Sequence, residues 1–318
     1  MADVGELLRE TTKKLLQRKE VSRVIGFARG NSALRSTPVF VENEKDADKL
    51  IFDITCGNNL ARYLRSPAKT GDGRVGIVAK GCDGRAVVQC MAEGQIKRKQ
   101  VLIIGVPCEG VLDQRKVCEK TQGKDVLRYR TDGDKVVFEG KDFEVSVNRA
   151  DILSDSCKRC RYPSPPVHDL FIGEAQAPVE HDFADVAEFE ELEASKRWAF
   201  FEKEFSRCIR CYACRNACPL CYCEECFVDQ TNPQWFGKST DLSDTMIFHV
   251  VRVLHTAGRC VDCGACERAC PLGINLGLLN RRVGKEVQER FGYFSGLDPE
   301  ETPAMATFDE EDKQEFML

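Results

Sequence analysis

The chain repeats one cysteine pattern, first as Cys208-Ile-Arg-Cys-Tyr-Ala-Cys-Arg-Asn-Ala-Cys-Pro219 and again as Cys260-Val-Asp-Cys-Gly-Ala-Cys-Glu-Arg-Ala-Cys-Pro271. Each copy has the spacing C-x2-C-x2-C-x3-C-P, which binds [4Fe–4S] clusters in two-cluster ferredoxins. Three closely spaced thiolates bind one cubane, and the fourth cysteine, followed by proline, binds the other cluster. The spacing therefore predicts two [4Fe–4S] clusters and a protein that moves electrons.

Exchange of the fourth ligand assigns the motif cysteines to two clusters. We expect the first cluster at Cys208, Cys211, Cys214 and Cys270. We expect the second at Cys260, Cys263, Cys266 and Cys218. Zinc is the competing metal, but its C-x2-C pairs require neither a third evenly spaced cysteine nor a following proline. A disulfide framework is disfavoured because the chain is long and its first residues lack the basic and apolar regions of an export signal.

Composition places the chain among soluble globular proteins. Its 318 residues are enough for two domains, and 42% are hydrophobic and 31% charged. A formal charge of −5 offers no basic surface for nucleic acid. The most apolar segment, residues 246–254, contains His249 and Arg252 and is too short to span a membrane. Free thiols at a density of 18 cysteines are typical of a reducing cytoplasm.

The first half of the chain contains the pattern of a βαβ unit. Two apolar runs, residues 75–80 and 101–106, flank a helix-like segment at residues 85–93. Strands joined in this way run parallel, and open α/β sheets usually bind ligands beyond the carboxyl ends of such strands. Because Cys82 and Cys108 each follow one of these strands, we expect the two thiols to converge.

Four thiols in this first half could hold a third [4Fe–4S] cluster. They are Cys82, Cys108 and the C-x2-C pair Cys157 and Cys160. A strand at residues 51–55 would place Cys56 at the same edge, as a reserve ligand or a neighbour of the site. Cysteine is also a small hydrophobic residue that is often buried, which is the interpretation we give to Cys90 and Cys118.

Three further thiols follow the first motif copy directly, at Cys221, Cys223 and Cys226. They are one ligand short of a complete cluster unless a cysteine from the first half contributes. A further cluster and free thiols beside the first cluster both remain open interpretations.

We predict an α/β N-terminal domain with a parallel βαβ core, joined to a mainly α-helical 2[4Fe–4S] ferredoxin-like C-terminal domain. The expected divisions are an α/β domain with an Fe–S site at 1–175, an acidic linker and helix at 176–200, a two-cluster domain at 201–297 and an acidic tail at 298–318.

Two helices are expected to serve the cluster domain. The helix after the linker should dock through its apolar residues Phe189, Leu192, Trp198, Phe201 and Phe205. A helix between the motif copies, at residues 241–254, should present one apolar face that consists of Met246, Ile247, Val250, Val251 and Leu254.

The motifs resemble those of a known family. They are Lys80-Gly-Cys-Asp-Gly-Arg85, Ile104-Gly-Val-Pro-Cys-Glu-Gly110, Cys157-Lys-Arg-Cys-Arg-Tyr-Pro163 and Ile172-Gly-Glu174. Together they resemble the β subunits of coenzyme F420-reducing hydrogenases and F420-linked formate dehydrogenases over roughly residues 50–175. The cluster half, over about residues 200–290, is similar to the two-cluster subunit of heterodisulfide reductases. The resemblance implies a flavin, FAD, as a further cofactor.

The resemblance further implies an electron-transfer subunit between a flavin- or F420-type two-electron donor and one-electron carriers. We expect a cytoplasmic iron–sulfur subunit of a multi-subunit anaerobic oxidoreductase of the hydrogenase, formate dehydrogenase or heterodisulfide reductase type, with other redox subunits as partners. One alternative is a flavin-containing subunit that itself oxidises or reduces F420 or a nicotinamide. A second is a redox-sensing or structural Fe–S protein. No acid–base or nucleophilic constellation is evident, so no catalytic residue is assigned.

Overall fold

The structure is a computed structural model that describes residues 3–65, 73–180, 182–235 and 237–307. Most of the expected acidic tail, residues 308–318, lies outside the described residues. Within the described ranges, no helix is both long and apolar enough to cross a bilayer.

The strands form one mixed sheet and one small antiparallel sheet. They are β1 (Arg23–Arg29), β2 (Ser36–Val41), β3 (Leu50–Ile51), β4 (Val75–Ala79), β5 (Val101–Gly105), β6 (Arg128–Asp132), β7 (Lys135–Glu139), β8 (Glu144–Asn148) and β9 (Leu170–Phe171). The mixed sheet has the order β2-β1-β4-β5-β9, with β3 also paired to β1. Strands β1, β4, β5 and β9 are parallel, whereas β2 and β3 run antiparallel to β1. The antiparallel sheet is the meander β6-β7-β8.

The helices of the first half of the chain alternate with the strands, and those of the second half form a helical region. They are α1 (Val4–Gln17), α2 (Gly81–Ala92), α3 (Gln114–Lys120), α4 (Arg149–Ile152), α5 (Asp155–Lys158), α6 (Ala184–Glu190), α7 (Ala194–Ser206), α8 (Ala213–Ala217), α9 (Leu242–His255), α10 (Ala265–Ala269) and α11 (Leu276–Phe291). Short 3-10 helices occupy Glu44–Lys49, Leu60–Tyr63, Arg98–Gln100 and Ala304–Ala306.

The predicted parallel βαβ unit is confirmed. Strands β4 and β5 pair in parallel from Val75 with Val101 to Ala79 with Gly105, and α2 connects them. Every residue of both strands is buried, as is usual for parallel strands covered on two faces. The helix begins at Gly81, four residues earlier than expected, so Cys82 lies in its first turn.

The expected strand at residues 51–55 is wrong. Only Leu50–Ile51 is strand, and it pairs antiparallel to β1. Cys56 therefore does not follow a parallel strand end. Its side chain is fully buried in the core beside the sheet, where the backbone N–H of Asp53 donates to its Sγ at 3.4 Å.

The buried face of α9 also differs from the expected one. Ile247, Val250 and Leu254 are each at least 44% exposed. The face that packs inward consists of Thr245, Phe248, His249, Arg252 and Val253. The buried face of this helix is therefore partly polar, because it faces motif cysteines as well as the apolar core of the helical region.

Helix α7 docks through fewer residues than expected. Phe205 is buried and Phe201 packs beside it in the core of the helical region. Trp198 is 60% exposed and Leu192, before the helix, is 40% exposed, so these two residues do not dock. In the acidic segment before α7, Asp185 pairs with Arg281 of α11 at 2.8 Å.

The two halves of the chain pack against each other. Leu220 and Val261, from the helical region, belong to the same buried core as the mixed sheet. Arginines of the first half donate to backbone carbonyls of the second half: Arg115 to Cys270 at 2.7 Å and Arg85 to Ser295 at 2.8 Å. The α/β half therefore lies directly against the cysteine motifs.

Candidate iron–sulfur sites

The two motif copies share one unusual backbone conformation. The second residue after the first cysteine has a positive φ in both, 50° at Arg210 and 52° at Asp262. The fourth has one as well, 58° at Tyr212 and 65° at Gly264. Non-glycine residues rarely adopt this conformation, and such strained positions cluster at functional sites. In both copies a five-residue helix, α8 or α10, follows and ends before the fourth cysteine.

Four motif cysteines line one small cavity, which we call site A: Cys208, Cys211, Cys214 and Cys270. Apolar side chains, including Phe248 and Leu276, form the rest of its wall. Burial raises the pKa of Cys208 and of Cys214, and the nearby Cys270 adds to both shifts. A cysteine of the second copy thus lies with three of the first.

The other four motif cysteines form a second group, site B: Cys218, Cys260, Cys263 and Cys266. Burial raises the pKa of Cys263 to about 11 and that of Cys266 to about 12, and Cys218 adds to both shifts. Burial also raises the pKa of Cys260, with further contributions from Cys266 and Cys218. Iron binding has to displace these protons, since the thiolate is the ligand.

A third group, site C, lies at the edge of the mixed sheet and consists of Cys82, Cys108, Cys157 and Cys160. Burial raises the pKa of Cys108 to about 12, and Cys157 and Cys160 act in the same direction. Burial raises the pKa of Cys82 as well, and both Cys108 and Cys263 of site B contribute. Sites B and C are therefore neighbours.

Close backbone packing holds site C together. The N–H of Cys108 donates to the carbonyl of Pro163 at 3.1 Å, which joins the loop after β5 to the loop after α5. A Cβ atom at Gly81 would lie only 1.6 Å from the carbonyl oxygen of Tyr162. Glycine is therefore required directly before Cys82, because the chain that contains Cys157 and Cys160 approaches α2 at this point.

Backbone or side-chain amides point at thiol sulfur atoms in all three sites. The N–H of Arg210 donates to Cys208 Sγ at 3.4 Å in site A, and the N–H of Val111 donates to Cys157 Sγ at 3.3 Å in site C. In site B, the side-chain amide of Asn280 donates to Cys266 Sγ at 3.7 Å. Such donors stabilise a negatively charged sulfur, and they tune the reduction potential of a cluster. The residues present therefore fit iron–sulfur ligation.

No group of three or more His, Cys, Asp or Glu side chains surrounds a single metal-ion position among the residues that the structure describes. A cubane spaces its four thiolates more widely than one ion does, because each thiolate binds a different iron atom.

The remaining cysteines occupy different surroundings. Cys221, Cys223 and Cys226 line one cavity, cavity D, together with Arg215 and Arg252 and without a fourth cysteine. Cys221 also hydrogen bonds with Cys218 of site B, which raises the pKa of Cys218. Cys90 is buried in the core inside α2, as expected, whereas Cys118 is exposed, so its expected burial is wrong.

The sequence analysis did not identify the polar residues that lie beside the three sites. His249 Nε2 lies 3.3 Å from Cys208 Sγ in site A. Arg252, on the same buried face of α9, is 4% exposed. Arg268, in the second motif copy, donates to the carbonyls of Cys263 and Gly57. A sequence signal for the first two existed, namely polar residues at positions 245, 249 and 252, which share one face of the helix and interrupt its apolar run.

A large cleft separates the α/β half from helices α8 and α10. Its volume is about 620 Å³, and it extends from Arg35 and Asn58 at the sheet edge to Cys270 of site A. Guanidinium groups at its margin belong to Arg35, Arg62, Arg115 and Arg268. The cleft also has apolar walls at Leu34, Tyr63 and Val111. Cations beside apolar walls suit an anionic ligand with an aromatic or other apolar part.

A mixed α/β half packed on a duplicated cysteine motif, with thiols gathered at three sites, defines an iron–sulfur electron-transfer subunit of an oxidoreductase. Residues 204–274 match the family model described as 4Fe-4S dicluster domain. Residues 72–189 match the family model for the C terminus of the beta subunit of coenzyme F420 hydrogenase/dehydrogenase. The resemblance to the β subunits of F420-linked enzymes and the predicted two-cluster domain are therefore confirmed.

Curated relatives resemble nearly the whole chain. The chain is 24% identical to the F420-dependent formate dehydrogenase subunit beta of Methanocaldococcus jannaschii, over 93% of both proteins. It is 23% identical to the F420-dependent formate dehydrogenase 1 subunit beta of Methanococcus maripaludis, over 92% of this chain and 91% of that protein. A chain of the F420-reducing [NiFe] hydrogenase complex from Methanosarcina barkeri aligns with 49% of this chain and 57% of its own length, with a TM-score of 0.38 and 15% identity.

Proposed function

We propose that this chain is the electron-transfer subunit of a larger oxidoreductase of the hydrogenase, formate dehydrogenase or heterodisulfide reductase type. The main support is the grouping of twelve cysteines into sites A, B and C. Bound [4Fe–4S] clusters supply reversible one-electron carriers at such sites. We also place the protein in the cytoplasm, because 18 cysteines with none of them in a disulfide suit a reducing compartment.

The proposed ligands follow the three groups. Cys208, Cys211, Cys214 and Cys270 hold the first cluster, because they line the same cavity. Cys218, Cys260, Cys263 and Cys266 hold the second, and Cys82, Cys108, Cys157 and Cys160 hold a third. Cavity D contains only three cysteines, which favours free thiols there. In this proposal residues 1–175 form the α/β domain and 201–297 the two-cluster domain, joined by the acidic segment 176–200.

The three sites lie in the order C, B, A, and site A is nearest to solvent. Cys82 of site C is close to Cys263 of site B. Arg252, which donates to the carbonyl of Cys214 in site A, also lies in the electric field of Cys218 and Cys266 of site B. In site A, Cys211 is exposed. A partner redox protein would contact the surface around Cys211, where Ile209 is 56% and Leu272 38% exposed.

The cleft supports a second candidate function, in which the chain binds FAD and itself exchanges electrons with F420 or a nicotinamide. Arg35 and Arg62 at the cleft margin would bind the phosphates, since guanidinium N–H groups are strong donors to phosphate oxygens. Tyr63 and Val111 would contact the flavin ring. Flavin would supply a two-electron centre next to the one-electron carriers.

Iron and inorganic sulfide in anaerobically purified full-length protein test the proposal. We expect about 12 Fe per chain, whereas about 8 would leave only sites A and B and about 16 would add cavity D. Cys157→Ala should lower the count to about 8, and Cys118→Ala, which changes an exposed thiol outside the three sites, should not. Protein that is colourless and free of sulfide would contradict the proposal.

Optical spectra separate the two candidate functions. An absorbance band at about 450 nm from a flavin that is released on denaturation would support FAD in the cleft. A protein with full iron content, no flavin and no reduction by F420 or a nicotinamide would be a carrier without its own two-electron site.

A further inference from the structure

Two arginines lie at the junctions between the cysteine sites. Arg252, on the inner face of α9, donates to the carbonyl of Cys214 of site A at 3.4 Å. Its Nε and Nη1 atoms are buried without a hydrogen-bond partner. Thiols of both sites A and B lie close to its charge: although burial opposes the charge, Cys266, Cys218, Cys221 and Cys214 raise the pKa of Arg252.

Arg268 occupies the corresponding position between sites B and C. It donates to the carbonyl of Cys263 of site B at 2.9 Å. It also donates to the carbonyl of Gly57 at 2.7 Å and to Ser156 Oγ, next to Cys157 of site C, at 3.4 Å. Burial opposes its charge too, but Cys157, Cys263, Cys82 and Cys266 raise the pKa of Arg268.

Both charges lack a carboxylate partner among the residues that the structure describes. Each hydrogen bond given above goes to an uncharged oxygen. Lys80 and Arg281, two other buried cations near the sites, are paired, Lys80 with Asp83 at 2.6 Å and Arg281 with Asp185 and Asp262. Arg85, which is also buried, donates only to the carbonyls of Ser295 and Val261 within the described part of the chain. A buried, unpaired charge is costly, so a cation is retained at such a place only where negative charge compensates it.

We infer that Arg252 and Arg268 are permanent countercharges for the redox centres on either side of them, Arg252 for sites A and B and Arg268 for sites B and C. This inference rests on the proposed function. Reduction adds one electron, and so one negative charge, to a centre without making or breaking a bond. The electron comes from the two-electron donor of the proposed function, or from dithionite in the test.

The physical effect is a rise in reduction potential that both neighbouring centres share. A fixed positive charge stabilises the reduced form more than the oxidised form, because the reduced form carries the larger negative charge. In a buried site the solvent and salt screen this interaction weakly. Each arginine also offsets the repulsion between two reduced neighbours, so that both centres can hold an electron at the same time.

Redox titration of the full-length protein, followed by electron paramagnetic resonance, tests the inference. Each signal is assigned to its site with a cysteine variant of that site. We expect Arg252→Gln to shift sites A and B to more negative potential and to leave site C unchanged. Arg268→Gln should shift sites B and C and leave site A unchanged. The expected size is at least a tenfold change in the ratio of reduced to oxidised centre at fixed potential, equal to about 59 mV for one electron.

Two control variants complete the design. Arg290→Gln changes a side chain of α11 that is 71% exposed, and it should shift none of the three potentials. Arg252→Lys keeps the charge, so its shift should be much smaller than that of Arg252→Gln. If Arg252→Gln does not retain iron, the Arg268→Gln and Arg268→Lys variants decide instead. An Arg268→Lys protein with full iron content whose potentials shift as far as those of Arg268→Gln contradicts the inference.

Failure of this inference is distinct from failure of the proposed function. Wild-type protein without iron and sulfide would refute the proposed function. Glutamine variants with full iron and sulfide content and unshifted potentials, or with equal shifts at all three sites, would refute only the role of the two arginines.

Discussion

His249 Nε2 lies 3.3 Å from Cys208 Sγ, so a buried imidazole of the inter-motif helix contacts a cysteine of site A. The imidazole stacks on Phe205 with 4.4 Å between ring centroids, which fixes its plane. Burial, followed by the charges of Arg252 and Arg210, lowers the pKa of His249 to about 3. The ring is therefore neutral at physiological pH and has one N–H to donate to the sulfur.

Replacement of His249 should lower the reduction potential at site A. His249→Leu removes the N–H donor that stabilises negative charge on Cys208, while it keeps an apolar side chain of similar reach in the buried position. A redox titration followed by electron paramagnetic resonance measures the shift. His255→Leu, an exposed position of the same helix, is the matched control.

The same hydrogen bond predicts how site A responds to pH. Because the depressed pKa keeps His249 neutral until the pH falls to about 3, its protonation adds no pH dependence to the site A potential between about pH 6 and pH 9. A slope in this range that is lost in His249→Leu would show that the imidazole titrates.

Cys218→Ser should damage site B and spare site A, although Cys218 belongs to the first motif copy. Cys214→Ser should damage site A. The physical reason is that Cys218 lies close enough to Cys260, Cys263 and Cys266 to add to the raised pKa of each thiol. Iron content and the paramagnetic signal of each reduced centre give the readout.

A neighbouring thiol requires one further variant. Cys221 hydrogen bonds with Cys218 and could replace it as a ligand. The double variant Cys218→Ser/Cys221→Ser removes that option, and Cys118→Ser controls for loss of an exposed thiol. A Cys218→Ser protein that loses the site A signal and keeps that of site B would show that the exchanged assignment is wrong.

Gly81→Ala should remove the site C cluster and leave the other two. The new Cβ would lie 1.6 Å from the carbonyl oxygen of Tyr162, so the loop with Cys157 and Cys160 has to move away from Cys82. We expect a loss of about 4 Fe per chain and a destabilisation of about 1–3 kcal/mol from overpacking. Iron analysis and denaturant unfolding of anaerobic protein measure the two effects.

Gly284→Ala is the matched control for this substitution. Gly284 lies inside α11, and a Cβ there meets no atom within 4 Å. Alanine favours a helix over glycine by about 1 kcal/mol, so the control should be slightly more stable with unchanged iron. Full iron content in Gly81→Ala would exclude the tight approach of the two loops.

In the second candidate function, in which FAD occupies the cleft, Arg35→Ala should weaken flavin retention several-fold without changing iron content. Arg35 is a cation at the margin of the cleft, on the side away from the cysteine motifs. Flavin released on denaturation, compared with iron per chain, measures the effect. Arg18→Ala, whose side chain is 71% exposed on the C-terminal side of α1, should retain the flavin content of the wild type.

The sequence predicted those parts of the structure that depend on local spacing. The repeated C-x2-C-x2-C-x3-C-P spacing and the strands on both sides of α2 are short-range patterns, and the structure contains both the repeat conformation and the parallel pair β4-β5. The proximity of Cys82 and Cys108 could be predicted from the sequence, because parallel strands end at one edge of a sheet.

Features that depend on contacts between distant segments were not predictable in this way. The α9 face was assigned by hydrophobicity, but that helix packs against thiols, so His249 and Arg252 face inward and Ile247 and Val250 face outward. The strand expected before Cys56 is absent because residues 53–55 form a bend and a turn, with the Asp53 carboxylate accepting from the backbone N–H of Thr55 at 2.8 Å. Arg268 could not be distinguished from any surface arginine without knowing that α10 faces site C.

The fourth residue after the first cysteine has a left-handed conformation in both motif copies, but it is Tyr212 in one copy and Gly264 in the other. A Cβ at Gly264 would lie 2.1 Å from Ser156 Oγ, whereas the Tyr212 ring has room to pack edge-on against Phe248. Glycine is therefore required where the second copy meets Ser156 of the α/β half, so the two repeats are no longer interchangeable. The duplicated motif is thereby asymmetric: one copy depends on the absence of a side chain at this position, and the other accommodates an aromatic ring there.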